Sequence, residues 1–203
     1  MEEYHVENFG CRASRADGEA IASGLRQAGL READDLSVAA VVILNTCSVT
    51  ADADRDARAF LRKVRRANPD ARVVFTGCYG QRAPEEVAAL DGVDVVVGNS
   101  HKSLVLNAAL GLGVAGDRLI PVHSLLDRTS RGEREPVAVW HDPLFAHSEI
   151  AALPFAADAH QTRPNLKIQD GCGNRCSFCI IPVTRGPSRS VSLDECLRIG
   201  LRS

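Results

Sequence analysis

The stretch Ala39-Ala40-Val41-Val42-Ile43-Leu44 is a continuous apolar run that is rich in β-branched side chains. Such a run is typical of a strand that is buried on both faces of a parallel sheet, because neither face presents polar side chains to water. Similar runs predict strands at residues 72–76 and 94–97, and a shorter strand is predicted at residues 4–9. We therefore expect a parallel sheet at the centre of the fold.

Helical patterns alternate with these strands. A helix is predicted at residues 14–30, and shorter helices are predicted at residues 84–90 and 102–110. The clearest helix starts near residue 50, where Thr50 or Asp52 can cap it, and Asn68-Pro69 ends it. Its apolar stripe has a 3.6-residue period and consists of Ala53, Ala57, Phe60, Leu61 and Val64. The alternation predicts the α/β class, with an open parallel sheet flanked by helices.

Three cysteines follow three of the predicted strands. Cys11, Cys47 and Cys78 each lie one to three residues beyond a strand end. In a parallel sheet these turns share the carboxyl edge, where ligand crevices form, so the three thiols are expected to converge. Gly10 and Gly77 would let the backbone approach a bulky ligand closely. The alternative is three unrelated buried cysteines, which the shared topological position disfavours.

Composition narrows the class of protein. The 203 residues include 45% apolar and 25% charged residues, with a net charge of −2, which is a globular rather than a disordered balance. A stand-alone nucleic-acid binder would be basic. The N-terminus lacks the pattern of a signal peptide, and no apolar run reaches the roughly 20 residues that span a bilayer. We expect a cytoplasmic protein, in which seven cysteines indicate metal binding or catalysis rather than disulfides.

A second group of cysteines lies near the C-terminus. Cys172, Cys176 and Cys179 follow one another with three and then two residues between them. Zinc usually takes four protein ligands, and Cys196, seventeen residues further on in a predicted helix, is a weak candidate for the fourth. Three thiolates would instead leave one iron of a four-iron cluster free to bind a substrate or cofactor.

This spacing, with Phe178 before the last cysteine, is the radical S-adenosylmethionine signature, and the chain resembles the methylthiotransferase family. The matching stretches are Phe9-Gly10-Cys11, Asn45-Thr46-Cys47-Ser48-Val49-Thr50, Thr76-Gly77-Cys78-Tyr79-Gly80-Gln81, Val97-Gly98-Asn99, Ile168-Gln169-Asp170-Gly171-Cys172 through Pro182, and Arg185-Gly186. They cover about residues 5–105 and 162–190.

The resemblance implies two 4Fe-4S clusters and S-adenosyl-L-methionine as cofactors. By that resemblance, one cluster is bound by Cys11, Cys47 and Cys78, and its open iron carries the sulfur to be inserted. The other cluster is bound by Cys172, Cys176 and Cys179 and cleaves S-adenosylmethionine to a radical, with Phe178 a candidate contact of that cofactor. The radical takes hydrogen from an unactivated C–H bond, to which sulfur and a methyl group are delivered.

The resemblance also implies a substrate and partners. Gly-Cys-Tyr at Cys78 and Ile-Gln-Asp-Gly-Cys before the second group are most similar to the members that modify N6-threonylcarbamoyladenosine of tRNA at C2, beside the anticodon. The resemblance implies an electron donor such as a flavodoxin-type reductase and does not imply a membrane partner. It does not identify the sulfur donor. One departure is Ser14, where the family often has Asn; we expect Ser14 to tune the cluster surroundings.

Two alternatives stay open. A sister enzyme methylthiolates an aspartate of a ribosomal protein, and a module that binds zinc or acts in redox storage would have no catalysis.

The predicted domains are an N-terminal methylthiotransferase α/β domain at residues 1–110, a linker at 111–162, and the truncated start of a radical S-adenosylmethionine α/β barrel at 163–203. Such a barrel needs roughly 200 residues or more. We therefore expect the chain to be inactive alone, with the missing parts supplying most tRNA contacts and Arg185 and Arg189 adding a few. His141 and His147 are expected to be solvent-facing linker residues.

Overall fold

The N-terminal part of the protein is built around a six-stranded parallel sheet. The computed structural model describes residues 2–47, 51–112, 137–145, 166–174 and 176–200. The strands are β1 (Glu3–Asn8), β2 (Arg31–Glu32), β3 (Val41–Thr46), β4 (Arg72–Gly77), β5 (Val95–Gly98) and β6 (Ala138–Trp140). Their order is β2-β1-β3-β4-β5-β6, and each neighbouring pair is parallel. The order changes direction between β1 and β3, which is the position where ligands bind in doubly wound sheets.

Helices cover both faces of this sheet. They are α1 (Arg12–Gln27), α2 (Ala51–Ala67), α3 (Cys78–Arg82), α4 (Pro84–Ala88), a 3-10 helix (Asn99–Leu104) and α5 (Val105–Ala109). Among the residues that the structure describes, no helix is long and apolar enough to cross a membrane.

All six residues of β3 are buried, as the apolar run predicts. Val42 and Leu44 belong to the apolar cluster that also contains Leu61 and Val64 of α2. Val41 and Ile43 belong to the opposite cluster, which contains residues of α1 and α5. Because successive side chains of a strand point to opposite faces, the unbroken apolar run is what a sheet with helices on both sides requires.

The predicted α/β class and parallel sheet are confirmed, and so is most of the apolar stripe of α2. Ala53, Ala57, Leu61 and Val64 are buried, whereas Phe60 is half-buried. Thr50, one of the two predicted caps, lies outside the described residues.

The predicted linker contains a short strand that the sequence analysis does not predict. Ala138–Trp140 forms β6 and extends the sheet, with Val97 opposite Trp140 in the register. The apolar run at residues 137–140 is short, follows a polar stretch and has an exposed residue, Val139, so it is a weaker strand signal than the run at β3. Residues 113–136 and 146–165, including His147, lie outside the described residues.

The C-terminal part contains β7 (Gln169–Asp170), α6 (Ile181–Arg185), β8 (Arg189–Ser190) and α7 (Leu193–Gly200). β7 and β8 form an antiparallel pair. The strand predicted at residues 165–169 thus begins later and is shorter, while α7 closely matches the last predicted helix. The start of a barrel in this region stays a prediction.

Candidate metal centre

The three N-terminal cysteines lie at the carboxyl ends of three neighbouring strands, β1, β3 and β4. Cys11 is the residue before α1, Cys47 follows β3 directly, and Cys78 is the first residue of α3. Because these strands are adjacent in the order β1-β3-β4, their ends meet at one edge of the sheet. The topology therefore places the three cysteines at the same sheet edge, and their convergence on one ligand stays a prediction.

Cys47 and Cys78 are in direct contact. Each is 2% exposed, and their thiols hydrogen-bond to each other. This bond to Cys47, with the positive charges of Arg185 and Lys102, outweighs burial and lowers the pKa of Cys78 to about 5. A lowered pKa favours the thiolate form of Cys78, which is the form of cysteine that binds metals.

Cys11 is the exposed member of this group. Its Sγ lies 3.7 Å from Oγ of Ser14, which is 1% exposed. Burial on its own would raise the pKa of Cys11, but hydrogen bonds from Ser14 and the backbone, together with the charge of Arg185, lower it. Ser14 is thus within reach of the Cys11 thiol, and its role in tuning the surroundings of a cluster stays a prediction.

Glycines bring the strand ends together. Gly10 has a φ of +121°, and a Cβ atom at this position would lie 2.1 Å from Cβ of Cys47. Gly77 has a φ of +97°, and a Cβ atom there would lie 2.2 Å from the carbonyl oxygen of Thr46. Any other residue would clash and be strained, so these glycines are required by the neighbouring chain. Their predicted role toward a bulky ligand stays a prediction.

The second group of cysteines lies in a loop between β7 and α6. Cys172 and Cys179 are half-buried, and Cys176 is exposed. The amide of Cys179 donates to the carbonyl of Cys176 at 3.1 Å, which closes a turn. Phe178 is 91% exposed, so its ring contacts little of the described protein.

The thiols fit an iron–sulfur cluster in their chemistry. Within the described ranges, no three His, Cys, Asp or Glu side chains are close enough to hold one metal ion. A four-iron cluster instead binds each thiolate to a different iron, so its ligands are spread more widely. At the sheet edge, the buried cysteines Cys47 and Cys78 and the positive charges of Arg185 and Lys102 have a chemistry that is compatible with such an anionic cluster.

A buried ion-pair cluster lies beside this edge. Asp17, 3% exposed in its side chain, contacts Nζ of Lys102 at 2.5 Å, Nζ of Lys167 at 2.7 Å and Nη2 of Arg185 at 3.0 Å. Asp170 also pairs with Lys167 and contacts Nη1 of Arg185 at 2.9 Å. Burial would raise the pKa of Asp17, but the three cations hold it well below its usual range. This ion-pair cluster joins α1 and the 3-10 helix to the C-terminal part.

Sequence reasoning missed this cluster. Asp17 appears among apolar residues on the buried face of α1, and a carboxylate there was the available signal, because a buried charge needs partners. The expectation that Arg185 contacts tRNA is wrong, since Arg185 is 5% exposed and both its terminal nitrogens bind carboxylates. Arg189 donates to the carbonyl oxygen of Arg185 at 2.8 Å.

A cavity of about 670 Å³ lies at the opposite, amino edge of the sheet. Its lining includes Arg65 and Arg72, whose side chains donate to backbone carbonyls of Gly92, Ala71 and Ala108. These arginines hold the surrounding loops, so the cavity offers less chemistry than the cysteine edge.

The fold and the site define an α/β protein that carries three cysteines at the carboxyl edge of its parallel sheet. Residues 3–98 match the model of the family described as "Uncharacterized protein family UPF0004". The chain is 35% identical over 189 residues to the threonylcarbamoyladenosine tRNA methylthiotransferase MtaB of Aquifex aeolicus, covering 93% of this chain and 42% of the relative.

Two further relatives have similar coverage. The MtaB protein of Bacillus subtilis is 34% identical, over 94% of this chain and 38% of its own length. The tRNA-2-methylthio-N(6)-dimethylallyladenosine synthase of Opitutus terrae is 29% identical, over 98% of this chain and 44% of its own length. These matches support a methylthiotransferase-like chain that spans less than half the length of these relatives and corresponds to their N-terminal portion.

Proposed function

We propose that this chain is the N-terminal part of a tRNA methylthiotransferase that acts at C2 of N6-threonylcarbamoyladenosine beside the anticodon. The observation that carries the proposal is the position of Cys11, Cys47 and Cys78 after three neighbouring strands at one sheet edge, where Cys47 and Cys78 are buried. The names of the relatives with 35% and 34% identity supply the substrate.

Two groups of residues would hold the cofactors. Cys11, Cys47 and Cys78 would bind one 4Fe-4S cluster, and Cys172, Cys176 and Cys179 would bind another together with S-adenosylmethionine. When bound, these groups supply a radical for an unactivated C–H bond, sulfur and a methyl group. Phe178 is exposed beside Cys179, where its ring is free to cover a cofactor.

The protein contributes fixed charge and position around the N-terminal thiols. Arg185 and Lys102 place positive charge near Cys78, and Arg185 also acts on Cys11. A cluster bound by three thiolates is anionic, so these cations would favour its binding and its reduced form. Asp17 and Asp170 keep Arg185 in place without contacting a thiol in the described structure.

Much of the basic surface of α2 is engaged within the protein. Arg58 pairs with Glu86, and Arg65 contacts Asp94 at 2.6 Å. With a net charge of −2, this part of the protein offers little attraction for phosphate groups. We therefore propose that most tRNA contacts are made by segments that the longer relatives have outside the part that this chain matches. A flavodoxin-type reductase is proposed as the electron donor, and the cytoplasm as the location.

Nucleoside analysis of tRNA tests the proposal. A strain that lacks the protein should lose the methylthio group on N6-threonylcarbamoyladenosine, and the intact gene should restore it. A gene with Cys47→Ala should fail to restore it. Loss of the methylthio group on dimethylallyladenosine or on a ribosomal-protein aspartate would show that the protein has that substrate instead. Unchanged tRNA and ribosomal protein would contradict the proposal.

A further inference from the structure

Asn99 connects the N-terminal cysteines to the C-terminal part of the chain. It follows β5 directly, begins the 3-10 helix and is 7% exposed. Its Nδ2 atom donates to Sγ of Cys78 at 3.4 Å and to the carbonyl oxygen of Thr184 at 2.6 Å. One amide group thus binds a cysteine of the first group and a backbone group that is 85 residues further along the chain.

The bridging segment Thr184–Gly186 is itself held on several sides. Arg185 is fixed by Asp17 at 3.0 Å and by Asp170 at 2.9 Å. The carbonyl oxygen of Gly186 accepts from the amide of Cys172 at 3.1 Å. A continuous set of contacts therefore runs from Cys78 through Asn99 and the bridging segment to Cys172.

The oxygen atom of the Asn99 side chain lacks, among the described residues, the hydrogen bond that a buried asparagine with a purely structural role would make. Its Oδ1 atom is buried and accepts no hydrogen bond from the described residues. A buried acceptor without a partner destabilises the folded state, and groups of this kind need a reason to be present. The donors on Nδ2 reach the sulfur of Cys78 and the carbonyl oxygen of Thr184 at the same time, which supplies that reason.

We propose that Asn99 is a positioning residue that fixes Cys78 against the bridging segment and so holds the first cysteine group in register with the second. The proposal rests on the proposed function, in which both groups bind clusters. In that setting the N–H of Asn99 would donate to the sulfur of Cys78 and keep this ligand against the bridging segment.

Hydrogen exchange in the cluster-free chain tests the mechanical part of the proposal. Asn99→Ser shortens the side chain so that it no longer reaches Thr184, and the isosteric Asn99→Asp replaces the donor by an acceptor. The control is Asn107→Ser, a half-buried asparagine of α5 without a side-chain hydrogen bond to another described residue. Both Asn99 variants should exchange faster at Thr184–Gly186 and at the amide of Cys172, with circular dichroism unchanged. Exchange equal to that of the control would overturn the proposal.

The reduction potential of the first cluster tests the electronic part. It is measured after anaerobic reconstitution in a chain that also carries Cys172→Ala, Cys176→Ala and Cys179→Ala. Hydrogen bonds to sulfur help to set cluster potentials, so Asn99→Ser should shift the potential to a lower value. Asn99→Asp adds negative charge and should shift it further, while Asn107→Ser should leave it unchanged.

The failures of the two proposals are distinguishable. A parent chain that takes up no iron contradicts the proposed function, whereas faster exchange in the Asn99 variants would still support the positioning role. A parent chain with a cluster whose potential is the same in all variants overturns the role of Asn99 and leaves the proposed function standing. If Asn99→Ser does not fold, the isosteric Asn99→Asp decides.

Discussion

Asp17→Asn should destabilise the protein strongly while keeping the shape of the side chain. The carboxylate of Asp17 is 3% exposed and faces Lys102, Lys167 and Arg185 at 2.5, 2.7 and 3.0 Å. After the substitution Arg185 and Lys167 still have Asp170, but Lys102, 11% exposed, has no other carboxylate partner among the described residues.

The expected loss follows from this difference. Removing one partner of a buried ion pair costs about 3–5 kcal/mol, because the remaining charge is left without compensation. The cost is not three times larger, since two of the three cations keep a partner and burial already lowers the pKa of Lys102. A loss of about 3–5 kcal/mol is a large part of the roughly 5–15 kcal/mol that stabilises a typical domain.

Urea unfolding followed by circular dichroism measures this loss. The matched control is Asp52→Asn, because Asp52 is 73% exposed and pairs with Arg55 on the surface of α2. Surface pairs contribute about 0–1 kcal/mol, so the control should change little. A loss for Asp17→Asn that is no larger than the control's would refute the reasoning.

The effect of Asp17→Asn should depend on pH. The cations lower the pKa of Asp17 in the folded state below its unfolded value of about 3.9. Its contribution is therefore complete above that value and is lost as the pH falls toward the folded pKa. The difference in unfolding free energy between wild type and Asp17→Asn should be constant near neutral pH and shrink below about pH 4.

Two further predictions concern the sheet edge. Gly10→Ala should lower the free energy of unfolding in urea by more than Gly29→Ala. Both glycines have positive φ, but the new Cβ at Gly10 would lie 2.1 Å from Cβ of Cys47, whereas the space around Gly29 is open. Equal losses would mean that strain alone, about 1–2 kcal/mol, explains both. The cluster-free chain should show an ultraviolet thiolate absorbance that appears near pH 5 and is absent from Cys78→Ser. An absorbance step that appears only at the ordinary thiol pKa would contradict the lowered pKa of Cys78.

The sheet could be predicted because its strands leave strong local signals. The run through Ile43 is buried on both faces, and an apolar run is how such a strand must look. β6 gives a weaker signal, since its apolar run at residues 137–140 is only four residues long, its residues are half-exposed or exposed, and it pairs with β5 across a long stretch of chain. Its place in the sheet depends on tertiary contacts that local sequence does not encode.

The candidate site also has one part that the sequence predicts and another part that it does not. The convergence of Cys11, Cys47 and Cys78 follows from strand ends and parallel topology, both of which are readable from sequence. The ion-pair cluster around Asp17 joins residues separated by 85, 150 and 168 positions, and no periodicity relates them. Asn99 could be noticed as part of a motif, but its contact with Thr184 appears only in three dimensions.

Iron and acid-labile sulfide after anaerobic reconstitution test the central claim most directly. Two 4Fe-4S clusters predict about eight irons and about eight sulfides per chain. The variant with Cys11→Ala, Cys47→Ala and Cys78→Ala should keep about four of each, bound by Cys172, Cys176 and Cys179. Iron content that is unchanged in this variant, or stoichiometric zinc with no iron uptake in the parent chain, would contradict the account.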